Sequence, residues 1–226
     1  MKTNETRKFP GKQKVINNGI YKKYFKRPLD LFCSSLALLV LSPLLLVIAV
    51  LVRVNLGSPI LFKQTRPGLN EEIFTLYKFR TMSGEKDKAG NLLPDETRIT
   101  TFGRFLRSTS LDELPELFNI IKGDMSLVGP RPLLVRYLPY YRDKERLRST
   151  VRPGVTGLAQ IKGRNSLSWD ERFRFDIEYV GNISFLQDVT IVLKTILLVL
   201  RRTNILVGSE HILKDLDEER KNIGNV

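Results

Sequence analysis

Residues 31–52 read LFCSSLALLVLSPLLLVIAVLV, a run of 22 residues from Leu31 to Val52 without a single charge. As a straight α-helix it would be about 33 Å long, enough to cross the hydrocarbon of a bilayer. Ser42-Pro43 falls in its middle. Pro43 has no N–H, so the carbonyl of Leu39 loses its helical partner and the ring favours a kink. The Ser42 hydroxyl can bond a carbonyl one turn back and offset part of that loss. Charge adds a second constraint. Residues 1–27 carry nine Lys or Arg against one acid, Glu5, and Arg53, Lys63, Arg66, Lys78 and Arg80 follow the run. Both flanks then prefer the cytoplasmic side. A kinked helix that enters and leaves on one face satisfies both flanks, while a single crossing with a tolerated proline stays open.

The rest of the composition narrows the chemistry. The 226 residues suit one domain plus an anchor, and 42 % hydrophobic residues supply a core. A net charge of +13 and a pI near 9.9 favour anionic partners. Basic residues crowded beside an apolar run point first to a membrane surface. No nucleic-acid motif is present, and a nucleic-acid binder would not need the run, so no such partner is expected. The one cysteine, Cys33, excludes an intrachain disulfide and fits a reducing compartment. The one histidine, His211, leaves too few ligands for a Cys/His zinc site and confines any Ser-His-Asp triad to the tail. Metal chemistry would rest on carboxylates, which favours Mg²⁺ or Mn²⁺. Neither a P-loop nor a G-x-G-x-x-G stretch occurs.

Outward from the run, four segments are expected: a basic arm (1–27), the membrane helix (28–57), a catalytic domain (58–205) and a charged tail (206–226). Pro59-Ile-Leu-Phe-Lys-Gln and Ile73-Phe-Thr-Leu-Tyr-Lys-Phe-Arg alternate like strands about a Pro67-Gly-Leu-Asn turn, which predicts a small β-hairpin. Residues 83–98 are polar and punctuated by Gly and Pro, a loop or lid. Helices are predicted over 103–109, 112–122, 134–148 and 169–180, with turns over 151–165. Residues 186–200 form a strongly apolar helix, too short to cross and suited to a buried or interfacial position. The tail from 209 is expected to be frayed, with Asp215-Leu-Asp217 solvated. The fold class is mainly helical α+β: a membrane helix, interfacial amphipathic helices and a hairpin.

The best chemical candidate is Arg107-Ser-Thr-Ser-Leu-Asp-Glu-Leu-Pro-Glu, with Asp112-Glu113 at a helix start. The bland reading is capping, since Ser110-x-x-Glu113 fits a capping box. The functional reading uses the same electrostatics: a helix start keeps a carboxylate ionised and receives phosphate. An ionised Asp112 can attack phosphorus, and Glu113 can hold a divalent cation against the same phosphate. Cations for the phosphoryl oxygens are at hand in Lys78, Arg80, Arg107 and Arg131, the last mounted between Pro130 and Pro132. Arg152-Pro-Gly-Val-Thr-Gly-Leu-Ala-Gln adds Arg152, Gly154, Thr156 and Gln160 as candidates for close backbone approach and polar contact.

Taken in order, Lys26-Arg-Pro-Leu-Asp30, Ser42-Pro43, Arg66-Pro-Gly68, Tyr77-Lys-Phe-Arg-Thr-Met82, Ser110-Leu-Asp-Glu-Leu-Pro115, Lys122-Gly-Asp-Met-Ser126, Gly129-Pro-Arg-Pro132 and Arg152 to Gln160 resemble the bacterial sugar transferase family. These are monotopic phosphoglycosyl transferases, and the chain looks like their small form, closest to enzymes that use UDP-diacetylbacillosamine. The resemblance implies a re-entrant helix broken at Ser42-Pro43 on the cytoplasmic face of the bacterial inner membrane. It also implies a ping-pong reaction between a UDP-sugar and polyprenyl phosphate, with Asp112 as nucleophile, Glu113 on Mg²⁺, and Arg107 and Arg131 neutralising phosphate. A transferase that moves only the sugar and a non-catalytic membrane tether are the rival readings. The sugar, the lipid length and the oligomeric state are not written in these motifs.

Overall fold

The computed structural model describes residues 19–163, 166–201 and 214–221. A π-helical turn, Tyr21–Phe25, leads directly into α1, Lys26–Leu56. The end of the expected arm is therefore already helical; its first 18 residues and His211 fall outside the described set. α1 runs through Pro43 as one helical element. Ser42 Oγ donates to the Leu39 carbonyl at 2.8 Å, the acceptor that Pro43 leaves without an N–H.

α1 is mostly exposed, yet it does not stand clear of the domain. Ile48 and Val52 pack with Phe79 and Leu106 near one end. Ala37 and Leu38 lie against a cluster of Leu76, Leu117, Ile120 and Met125. Near the other end, the buried Asp30 accepts from Ser126 Oγ at 2.6 Å and Leu127 N at 3.3 Å. Contacts on either side of Pro43 fasten both ends of the helix to the same body, while Leu39, Val40 and Leu44 near the proline are exposed.

β1 (Leu61–Pro67) and β2 (Ile73–Phe79) form the expected antiparallel hairpin, in register from Leu61 opposite Phe79 to Pro67 opposite Ile73. The 83–98 loop carries a bridge between Lys86 and Leu92 and ends in the single turn α2, Asp95–Arg98. α3 (Thr101–Ser108) is capped by Thr100, whose hydroxyl accepts from Gly103 N at 3.0 Å. α4 spans Glu116–Lys122 and closes on Gly123 at φ 99°. The helix expected over 134–148 is instead two 3₁₀ segments, Val135–Tyr140 and Glu145–Thr150. Pro139 lacks the N–H an α-helix would use there, and the segment breaks at 141–144.

Two strands were invisible to periodicity. β3 (Ser126–Val128) and β4 (Gly154–Thr156) pair in parallel, too short to show alternation. Their contact depends on missing side chains. A Cβ on Gly154 would lie 2.0 Å from Gly129 N, and one on Gly157 2.2 Å from Gly129 O. α5 (Leu158–Lys162) follows, then α6 (Trp169–Gly181), whose Ser168–Glu171 capping box is complete. α7 (Phe185–Arg201) buries Asp188 and Ile191 but exposes Leu186, Leu193, Ile196, Leu197 and Leu200.

The described part of the tail is docked rather than frayed. α8 (Leu216–Lys221) buries Leu216 completely against the Tyr137, Trp169 and Phe173 cluster. Asp215 accepts from Arg136 and Tyr137, and Arg220 pairs with the buried Glu145 at 2.6 Å. The charge pattern concealed one apolar anchor.

The glycine crossing gives a direct test. Gly154→Ala forces backbone apart and should cost more than about 4 kcal/mol. Gly181→Ala, with nothing within 4 Å of its Cβ, should leave the thermal midpoint nearly unchanged. Differential scanning of both variants decides it.

Candidate active site

Ser110 ends the chain's path out of α3 in the left-handed region, at φ 56°, an uncommon conformation for a residue with a side chain. Its N–H donates to the Arg107 carbonyl at 3.1 Å, and its carbonyl accepts from Glu113 N at 3.2 Å. That turn sets a 3₁₀ segment, Leu111–Glu113, ahead of α4. The capping box expected for Ser110 and Glu113 does not form, because Ser110 makes no side-chain cap and Glu113 is used elsewhere.

Glu113 is the point where three elements meet. Lys78 of β2 reaches Glu113 Oε1 at 2.6 Å, and Arg131 pairs with the same oxygen. Lys78 also lies 3.2 Å from Glu116, a fully buried carboxylate one turn further on. Asn119 holds β2 to α4 by accepting from Tyr77 N at 3.1 Å and donating to the Thr75 carbonyl at 2.7 Å. On the other side, Arg148 fixes the loop carrying Arg131, donating to the Arg131 carbonyl at 2.6 Å. Arg148 is itself buried and paired with Asp176 at 2.9 Å.

Asp112 sits inside this frame, 8 % exposed, while the two close cations grip its neighbour. Burial and then the charge of Glu113 push its carboxyl up to about 6, against the pull of Lys78, Arg131 and Arg107. Burial also opposes ionisation of Glu113, but Arg131 and Lys78 outweigh it and hold that carboxyl well below the usual range. Glu116 is raised to about 7 by burial and by Glu113. Adjacent carboxylates thus differ: close cations favour the charged form of Glu113, while burial opposes the charged form of Asp112.

The other expected residues divide. Lys78 and Arg131 join the cluster, and Arg107 acts on Asp112 by charge while its Nε donates to Thr81 Oγ1 at 3.0 Å. Pro130 and Pro132 are buried, and their carbonyls accept from Gly154 N at 3.1 Å and Arg66 Nη1 at 3.2 Å. Arg80 instead bonds the Met82 and Ser58 carbonyls, at 2.8 and 2.9 Å, and ties loops together. Arg152 donates to the Gly123 carbonyl at the far end of α4. Gly154 makes its close approach to the backbone of Gly129, just past the end of β3. Thr156 pairs with Thr195 at 2.6 Å, and Gln160 donates to the Val155 carbonyl at 2.9 Å, so both serve packing. Sequence reasoning missed Glu116, Arg66, Asn119 and Arg148. Only Glu116 left a signal, since three residues after Glu113 it shares a helical face.

For a metal, no three acids converge into a cage among the described residues. Asp112 and Glu113 do supply hard oxygens, and Glu113 Oε2 has only a long contact, 3.5 Å, from Arg131. Such a donor set fits Mg²⁺ that keeps waters and takes further oxygens from a phosphorylated substrate.

Comparison with known proteins carries the assignment. The bacterial sugar transferase model matches residues 21–202. The chain belongs to the bacterial sugar transferase family. It is 53 % identical over 171 residues to the uncharacterized sugar transferase EpsL of Bacillus subtilis, covering 76 % of this chain and 85 % of that protein. The undecaprenyl-phosphate galactose phosphotransferase of Salmonella typhimurium is 39 % identical over 210 residues, 83 % of this chain but 43 % of that longer protein. The exopolysaccharide production protein ExoY of Rhizobium meliloti is 41 % identical over 188 residues, 76 % of this chain and 83 % of its own length.

In this bacterial sugar transferase the buried Arg148–Asp176 pair is a support for the cluster. Arg148→Met strands a buried carboxylate and should cost about 3–5 kcal/mol, read as a lower denaturant midpoint.

Proposed function

We propose that this chain transfers a sugar 1-phosphate from a UDP-sugar to undecaprenyl phosphate. An Asp112 carboxylate oxygen attacks the phosphorus that bears the sugar, and the bond from that phosphorus to the bridging oxygen breaks. UMP leaves with the electron pair, and a phospho-sugar remains esterified to Asp112. An oxygen of the lipid phosphate then attacks the same phosphorus, the bond to Asp112 breaks, and polyprenyl diphosphate-sugar departs. Arg131 and Lys78 keep Glu113 charged and in place, and Arg107 faces the equatorial oxygens. Mg²⁺ held by Glu113 would neutralise charge on the diphosphate.

The observation that carries this reading is a buried aspartate set beside a carboxylate that two cations already occupy. Names of relatives support the substrates: undecaprenyl phosphate with galactose in the Salmonella protein, and a UDP-glucose:undecaprenyl-phosphate glucose-1-phosphate transferase in Escherichia coli, 39 % identical over 184 residues. The expectation of a diacetylbacillosamine donor has no counterpart in these names. For topology, α1 meets the same domain at Asp30 and at Val52, which favours a helix whose two ends share the cytoplasmic face over a free crossing. The exposed apolar side of α7 would rest in the same leaflet.

Turnover, adduct mass, nucleotide product and pH dependence test the chemistry. Asp112→Asn should abolish turnover, and donor alone should add the mass of the phospho-sugar to wild type but not to the variant. A sugar-only transferase would release UDP in place of UMP. Protonation removes the nucleophile, so kcat/KM should fall as pH drops through about 6. Added Mg²⁺ should move that limb lower, because a cation favours the ionised carboxylate. Arg131→Lys should lose at least about tenfold in kcat, since a point charge cannot replace the fork on Glu113.

A further inference from the structure

We propose that a second anion site lies at the foot of α1 and takes the headgroup of an anionic phospholipid. A concavity there is bounded by Lys22, Lys26, Arg27, Asp30, Thr150 and Arg152. Its donors outnumber its acceptors. Arg27 spends its terminal nitrogens on the Ile120 and Met125 carbonyls, at 2.7 and 3.2 Å. Arg152 spends Nε on the Gly123 carbonyl at 2.8 Å. Both guanidiniums therefore crowd the end of α4, close enough to repel one another. Asp30 is the one carboxylate on the wall, and it is already used by Ser126, Leu127 and Lys26. Lys26 has its closer partner in Asp188, at 2.7 Å.

Capping of α4 accounts for the bonds that Arg27 and Arg152 make. It does not account for Nη1 and Nη2 of Arg152 or for Nζ of Lys22, which have no acceptor among the described residues. Four cations line the concavity beside one committed carboxylate, and Lys22 and Arg152 keep unused donors there; a phosphate offers several acceptors to such groups. The depth fits a lipid. Tyr24 and Phe25 are exposed beside Lys22, and the uncharged run begins at Leu31. Aromatic side chains next to lysines mark the headgroup level. The acceptor lipid is the other source of such a phosphate. However, Asp112 precedes α4 and this concavity lies at its end, so a helix about 10 Å long separates them. That distance suits a resident phospholipid better than a reacting one.

The test is native mass spectrometry of the full chain in neutral detergent with phosphatidylglycerol, phosphatidylcholine or undecaprenyl phosphate. Wild type should retain phosphatidylglycerol over phosphatidylcholine. Lys22→Gln and Arg152→Gln should each weaken that retention about fivefold, and Lys22→Arg should restore it. Lys22→Gln removes no bond that α4 needs, so its result stands even if Arg152→Gln melts early. Equal retention of the two phospholipids, or wild-type retention by Lys22→Gln, overturns the site. Loss of undecaprenyl phosphate alone overturns the phospholipid and gives the concavity to the acceptor.

Discussion

The structure turns on one half-buried carboxylate held by two cations. Glu113 takes Lys78 from the hairpin and Arg131 from the loop after β3, so a single side chain fastens three elements that are distant in sequence. In a poorly solvated setting each of these charges would be costly alone, and only their mutual pairing makes the arrangement stable. Glu116 adds a further acid against Lys78, which leaves the local balance finely set. Within that balance Asp112 is the carboxylate whose charge is least compensated by close contact.

The membrane helix bears on this same frame. Ile48 and Val52 pack against Phe79 and Leu106, which are the immediate neighbours of Lys78 and Arg107 in the chain. The depth of α1 and the position of those two cations are therefore coupled through one apolar contact.

Much of this was legible beforehand. The run from Leu31 to Val52, the hairpin about Pro67, α6 and α7 follow from hydrophobic pattern and turn chemistry, which act over a few residues. Ser42 was read as the hydroxyl that offsets the loss at Pro43, and it bonds the Leu39 carbonyl. The misreadings share a cause. The 134–148 stretch has helical composition but a proline at 139, and α8 looks solvated because a single buried apolar residue, Leu216, holds it. In the Arg152 to Gln160 stretch, glycines that seemed made for a ligand serve a chain crossing at Gly129.

The sequence by itself determined the class of the protein through its ordered motifs, from Lys26-Arg-Pro-Leu-Asp30 to Arg152–Gln160, which resemble the bacterial sugar transferase family; the uncharged run and the single histidine only narrowed the chemistry. Only the tertiary structure decided which cations reach which carboxylate. Lys78 and Arg131 went to Glu113, Arg152 went to the far end of α4, and Arg80 went to loop carbonyls. A basic residue in a motif carries its charge in its name, but the place where that charge acts depends on contacts between segments dozens of residues apart. Local pattern has no access to those contacts.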